Sequence, residues 1–139
     1  FMNDCIFCKI VAGSIPSYKI YEDDEFLAFL DIFPATDAYT LVIPKKHYRW
    51  VWDVENIGRY FEVIKKIVNH YKKVAGHESI YSMVVGEEVP HAHVRIFPGD
   101  DMELSKELYS FMENTKADKA IDPAKANAIL KKYSLIKKS

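Results

Sequence analysis

Residues 89–99 read VPHAHVRIFPG, with His91, His93 and Arg95 at alternate positions. On an extended strand alternate side chains share a face, so these three point one way while Ala92, Val94 and Ile96 face an apolar layer. Their Cα atoms then lie about 6.5 Å apart. That reach suits gripping one small anionic group, or dividing labour between a metal and a ligand, because an imidazole near neutral pH can be a base, a nucleophile or a metal ligand. A half-exposed strand with a polar solvent face carries the same alternation. The rest of the chain has to decide between the two.

At 139 residues the chain is about one ordinary domain, long enough to bury a core without disulfide staples. Its 19 basic and 20 acidic residues leave a formal charge of −1, which gives no electrostatic case for a general nucleic-acid or membrane-surface binder. Any anion must be held locally. Apolar runs such as TLVIP (residues 40–44) and YSMVV (residues 81–85) are too short to cross a bilayer, and FMNDCIFCKI at the start lacks a basic region followed by a long apolar one. The expectation is a soluble, cytoplasmic protein, read from Met2. Cys5 and Cys8 stand as C-x-x-C and are the chain's two cysteines. A redox dithiol, half of a zinc site and a pair of incidental thiols all remain open at this point. Zinc would need two more ligands, and the histidines available are His47, His70, His77, His91 and His93.

Residues 18–30, YKIYEDDEFLAFL, predict two short strands around the acidic turn Glu22 to Glu25. DIFPATDAY breaks the pattern at Pro34, and TLVIP follows as a buried strand stopped by Pro44. KKHYRWVWDV is a connection. From Asn56 to Ala75 apolar residues recur at Ile57, Tyr60, Phe61, Ile64, Ile67, Val68, Tyr71 and Val74, which is helical spacing, and Gly76 suits the stop. SIYSMVV and HAHVRIF then predict a second hairpin joined by the turn GEEVP. Hairpin, strand, long helix and hairpin make an α+β fold, an antiparallel sheet with a helix on one face. Beyond residue 100, MELSKELYSFMEN and PAKANAILKKYSLIKK are amphipathic, and Pro123 suits a helical first turn. Residues 2–100 are therefore the expected domain, and 101–139 a helical extension packed on it.

CIFCKIVAGSIPSYKIYEDDEFLAFLDIFP, TLVIPKKH and GEEVPHAHVRIFP, in this order and with these elements between them, resemble the histidine triad (HIT) family from Cys5 to Pro98. The resemblance implies an antiparallel sheet of about five strands with a long central helix and a short N-terminal helix, a homodimer, and a site for a purine nucleotide or nucleotide conjugate. It also implies nucleotidyl transfer or hydrolysis, in which the middle imidazole of the signature, His93 by position, attacks an α-phosphorus and forms a nucleotidyl-histidine. A neutral imidazole is a competent nucleophile at cellular pH. Some relatives with an N-terminal C-x-x-C hold structural zinc, and the matching positions here are Cys5, Cys8, His47 and His91. His70 and His77 are then surface or packing residues. Asp31 matches the acidic residue that hydrogen-bonds the ribose hydroxyls. Ile10, Phe26, Ile32 and Leu41 are candidates for an apolar slot around the base, and backbone N–H groups at Gly86 and Glu88 for binding phosphate oxygens.

Two departures from the family pattern bear on activity. The third signature position, histidine in most members and glutamine in some nucleotidyl transferases of the wider superfamily, is Arg95 here. A guanidinium can clamp a phosphate oxygen through its fork but is a poor proton donor. The loop before His91 carries Glu87 in the place of the family's glutamine and lacks its asparagine. Two functions from different classes follow: a hydrolase or transferase using His93 with Arg95 as phosphate clamp, or a nucleotide-binding or scaffold protein with weak or lost catalysis.

Overall fold

The structure, a computed structural model, describes residues 4–100 and 102–136. Residues Phe1–Lys106 form one compact unit and Glu107–Ser139 a second. In the first, the chain runs α1 (Ile6–Val11), β1 (Lys19–Glu22), β2 (Phe26–Leu30), β3 (Thr40–Pro44), a 3-10 turn at Val51–Asp53, α2 (Ile57–Ala75), β4 (Ile80–Met83) and β5 (Val94–Pro98). The strands form one antiparallel sheet in the order β1-β2-β3-β5-β4. The α+β sheet, the two hairpin pairings and the long helix therefore agree with the sequence expectation.

The central strands FLAFL and TLVIP carry almost no polar side chain because the sheet is covered on both faces there. Alternation sends Phe26 and Ala28 of β2, Val42 of β3, and Val94 and Ile96 of β5 to one face. Against them α2 packs Tyr60, Val63, Ile64, Ile67 and Tyr71, with Phe26 stacked flat on Tyr60 at 5.0 Å between ring centroids. Two phenol hydroxyls tie α2 to β3: Tyr60 donates to the Val42 carbonyl, and Tyr71 shares a 2.7 Å hydrogen bond with Thr40. Gly76 ends α2 with φ of 72°, a left-handed conformation that favours glycine. Leu27, Phe29, Leu41 and Ile43 point to the opposite face, where Cys5, Phe7, Cys8 and Ile10 from the start of the chain cover them.

The last hairpin differs from the expected boundaries. β4 stops at Met83, leaving Val84 and Val85 exposed, and β5 starts only at Val94, so residues 84–93 form the connection. The backbone of 91–93 takes partners outside the sheet ladder: His91 N–H donates to the Val89 carbonyl and Ala92 N–H to the Tyr48 carbonyl, at 2.8 and 2.7 Å. His91 and His93 thus stand just ahead of the strand that carries Arg95. α3 spans Met102–Thr115, its first residues belonging to the first unit and the rest to the second, where α4 spans Pro123–Tyr133 with Asp122 capping its start through Lys125 N–H at 3.1 Å. Among the described residues no helix is long and apolar enough to cross a membrane.

Phe26→Ala is expected to lower the free energy of unfolding by about 3–5 kcal/mol, because its ring fills the space between β2 and Tyr60. Urea titration followed by far-ultraviolet circular dichroism checks this.

Candidate active site and metal site

The N-terminal cysteines are positioned by a single turn of helix. Cys5 is the N-cap of α1, its Sγ accepting from Cys8 N–H at 3.4 Å, and three-residue spacing on that turn brings both thiols to the same side. β3 ends at Pro44, and His47 follows where the chain leaves the sheet. His91, wholly buried at 0% exposure, arrives from the last connection. The ligand atoms of Cys5, Cys8, His47 and His91 all lie within 4.8 Å of one another. Cys5 Sγ is 3.4 Å from His91 Nδ1, and Cys8 Sγ is 3.2 Å from His47 Nδ1 and 3.5 Å from His91 Nδ1. With metal bonds of about 2.0–2.3 Å, the edges of a tetrahedral Cys₂His₂ site are roughly 3.3–3.8 Å long. Those three separations are close to such edges, and the four donors together could hold a metal ion. His91 Nε2–H donates to the Pro44 carbonyl at 2.8 Å, which fixes the tautomer that leaves Nδ1 as the ligand. Burial, first of all, pushes the His91 pKa down to about 4, so the ring is neutral and able to coordinate at cellular pH.

His93 lies beside this cluster and is 1% exposed. Its Nδ1 is 2.8 Å from the His91 carbonyl, and a carbonyl can only accept, so Nδ1 carries the proton and Nε2 the lone pair. Arg95 Nη1 stands 3.2 Å from that Nε2. Phe7, the residue between the two cysteines that faces the sheet, sets its ring edge-on to both His91 and His93, at 5.9 and 5.3 Å between centroids. Burial, the largest effect, holds the His93 pKa below the ordinary imidazole value; the hydrogen bond to the His91 carbonyl opposes it next, and the smaller effects of Arg95 and Arg49, which lower it, are set against that of Glu88, which raises it. Near pH 7 His93 is a neutral imidazole with one defined lone pair.

Of the remaining residues singled out in the sequence, Arg95 pairs with Leu41 across β3 and β5, so both stand on the His93 face. Ile10 is buried there with Leu41. Asp31, partly exposed just after β2, accepts from Phe33 N–H at 2.9 Å through Oδ1. Ile32 is 68% exposed, and Glu88, 85% exposed in its side chain, faces Arg95 at 3.8 Å. Phe26 is not brought to this face: it belongs to the core under α2, because its place in the β2 alternation is opposite to that of Leu27 and Phe29. His70 is exposed on α2, and His77 hydrogen-bonds Asp100 at 3.0 Å, so neither reaches the site.

Two further residues surround the site that the sequence did not single out. Arg49 donates to the Gly86 carbonyl at 2.8 Å while its guanidinium stacks on Trp50 at 3.6 Å, which clasps the 84–93 connection to the segment after His47. Gly86 is buried, has φ of 83°, and a Cβ there would touch the Trp50 ring at 3.5 Å. Tyr39, stacked on Phe97, is the second, and the charges of Asp31, Glu88 and Arg95 all act on it. The signal for Arg49 was its place two residues after His47 in HYRW; Tyr39 had none, since its neighbours come from three separate segments.

The HIT domain family model matches residues 12–102. An uncharacterized HIT-like protein of Borreliella burgdorferi is 45% identical over 70% of this chain and 76% of its own length. The adenylylsulfatase HINT3 of Arabidopsis thaliana is 34% identical over 69% of this chain and 52% of its own. Among solved structures, a HIT family hydrolase from Clostridium thermocellum superposes with a TM-score of 0.63 at 30% identity, over 73% of this chain and 96% of that one.

Arg49→Ala removes a hydrogen bond from a charged donor, worth about 1.5–3 kcal/mol. Amide exchange in residues 84–90 is therefore expected to quicken roughly ten-fold or more, with α2 unchanged, as followed by hydrogen-exchange mass spectrometry.

Proposed function

The chain belongs to the HIT domain family, and from that premise we propose that it is a nucleotide hydrolase or nucleotidyl transferase in which His93 attacks the α-phosphorus of a nucleoside phosphoramidate or related nucleotide. The observation that carries this is the orientation of His93: with Nδ1–H held by the His91 carbonyl, the lone pair of a buried neutral ring sits on Nε2 and next to a guanidinium. Attack by Nε2 forms an N–P bond and expels the leaving group with the electrons of its own bond to phosphorus. Water then attacks the same phosphorus, the N–P electrons return to Nε2, and the nucleoside monophosphate departs. The His91 carbonyl stabilises the positive ring that forms between the two steps, and the fork of Arg95 holds phosphate oxygens. Asp31 is assigned to the ribose, Ile10, Ile32 and Leu41 to the base, and the backbone at Gly86 and Glu88 to phosphate. A purine nucleotide as ligand and a homodimer as the working form come with the family.

One observation favours a second reading, a nucleotide-binding or scaffold protein with weak or lost catalysis. Arg95 Nη1 donates toward the same Nε2 lone pair that must attack, and it has to move before the reaction begins. For Cys5, Cys8, His47 and His91 the proposed occupant is structural zinc. Two thiolates and two imidazoles are an ordinary closed zinc set, and the ion would pin the first helix against the segment carrying His93.

Incubation with adenosine 5′-phosphoramidate and adenylyl sulfate is expected to release AMP from at least one of them. His93→Ala should lower that release at least about 10³-fold while AMP still raises the thermal midpoint. AMP binding without release by the wild type would support the second reading instead. Native mass spectrometry of reduced protein is expected to find one zinc per chain. Cys8→Ser should lose it, with a lower thermal midpoint.

A further inference from the structure

The second half of α2 is basic and unbalanced. Between Val63 and Ala75 stand Lys65, Lys66, His70, Lys72 and Lys73 and no acidic residue, although acidic residues outnumber basic ones in the first unit as a whole. None of the four lysines has an ion-pair partner among the described residues. Lys66, His70 and Lys73 follow at helical spacing, so they line one side of α2, with about 10.5 Å of rise between the outer two. All three are exposed, and they form one wall of a groove of about 330 Å³ between α2 and β1. None of its residues belongs to the site around His93.

The floor of the groove is apolar, made by Ile67 of α2 with Ile20 and Tyr21 of β1. Neighbouring strand residues normally face opposite sides of a sheet. Here the β1–β2 register shifts between Lys19 and Tyr21, which lets both Ile20 and Tyr21 turn into the same groove. Tyr21 is held in place: its hydroxyl donates to Asp23 at 2.7 Å, Arg59 donates to both at 3.4 and 3.2 Å, and Lys66 Nζ lies 5.4 Å from the centre of its ring. The nearest carboxylates are thus taken, Asp23 by Arg59 and Glu22 by Lys19 and Lys45. β1 is the outer strand of the sheet, but its bulge and its ion-paired Lys19 and Glu22 make it a poor template for a further strand. Contacts in the groove are therefore made by side chains.

We propose that this groove is a docking surface for an acidic peptide segment of another protein, one that presents an aliphatic or aromatic side chain between two carboxylates. The apolar side chain covers Ile20, Tyr21 and Ile67, and the carboxylates pair with Lys66 and Lys73. Carboxylates three or four residues apart on an extended segment lie about 10–13 Å apart, which matches the two lysines. The volume, at the low end for a ligand pocket, suits one large side chain. A bare polyanion would satisfy the lysines but leave the apolar floor in water, and a purely apolar segment would do the reverse.

The test uses the full chain as purified. A randomised peptide library displayed on phage is selected on the wild type after depletion on a Lys66→Glu/Lys73→Glu variant. Enriched peptides are expected to carry Asp or Glu three or four positions apart, with Leu, Ile, Phe or Tyr between them. The most enriched one, synthesised with a fluorescein label, should bind the wild type by fluorescence anisotropy. It should bind the double variant about ten-fold more weakly, and lose a similar factor when its own apolar residue becomes Ala. Ile20→Ser should weaken it as well. Lys65→Glu/Lys72→Glu makes the same change of net charge on another side of α2 and should leave binding within about two-fold. Backbone amide shifts on titration should cluster in β1 and residues 66–73. The substituted residues are all exposed, and an unchanged far-ultraviolet circular dichroism spectrum checks that each variant folds. No enrichment, enriched peptides without that pattern, equal loss in the two lysine double variants, or shifts elsewhere overturns the proposal. A labelled oligo-dT that binds more tightly than the peptide and depends on Lys66 and Lys73 overturns it in favour of a polyanion site. Self-association of the wild type that Lys66→Glu/Lys73→Glu abolishes overturns it in favour of an interface between copies of this chain.

Discussion

His91 has no contact with solvent, yet three of its polar atoms each hold a different part of the molecule. Nδ1 meets the thiols of the first helix, Nε2–H donates to the end of β3 at Pro44, and the backbone carbonyl accepts from His93. A buried polar group left unpaired is costly, so a chain that folds with this ring inside must satisfy all three contacts together. That requirement draws residues 5–8, 44–47 and 91–93 to one place. It also means that the tautomer of His93 is decided by the backbone carbonyl of a residue whose own ring is turned to the thiols and to the end of β3.

The sheet makes such a meeting possible because it is sandwiched. α2 covers one face through an apolar stripe, and the two phenol hydroxyls on that stripe lock it to β3. The other face is covered near β2 and β3 by a helix of only six residues, too short to persist alone. It stays because Phe7, Cys8 and Ile10 are buried against Leu27, Phe29, Leu41 and Ile43, and a metal on the two thiols would strengthen the same contact. His93 therefore sits at the rim of an apolar cluster, where burial keeps it neutral and Arg95 supplies charge.

Much of the frame was legible in residue order. The apolar spacing of 57–75, the uninterrupted FLAFL and TLVIP segments and the acidic turn at 22–25 each map onto the element expected, because their periodicity reflects which faces are buried. The C-x-x-C and the family resemblance singled out Cys5, Cys8, His47 and His91, and the fold brings the donor atoms of those four within 4.8 Å of one another. Phe26 was harder to place: apolar residues on the two faces of a doubly covered strand look alike, and one step of alternation separates the face of Ile10 and Leu41 from the core under α2. The shortened β5 was hidden for a related reason, since HAHVRIF alternates throughout while its first residues bond to loop backbone.

By itself the sequence determined the family, the element order and the donor types, because these depend on side-chain chemistry and on periods of two and 3.6 residues. Tertiary structure alone decided which nitrogen of His93 holds the lone pair, that Arg95 rests against it, and that Arg49 and Tyr39 share its surroundings. Those facts depend on atoms from segments far apart in the chain meeting within a few ångströms. Local sequence patterns carry no information about that distance until the sheet has closed.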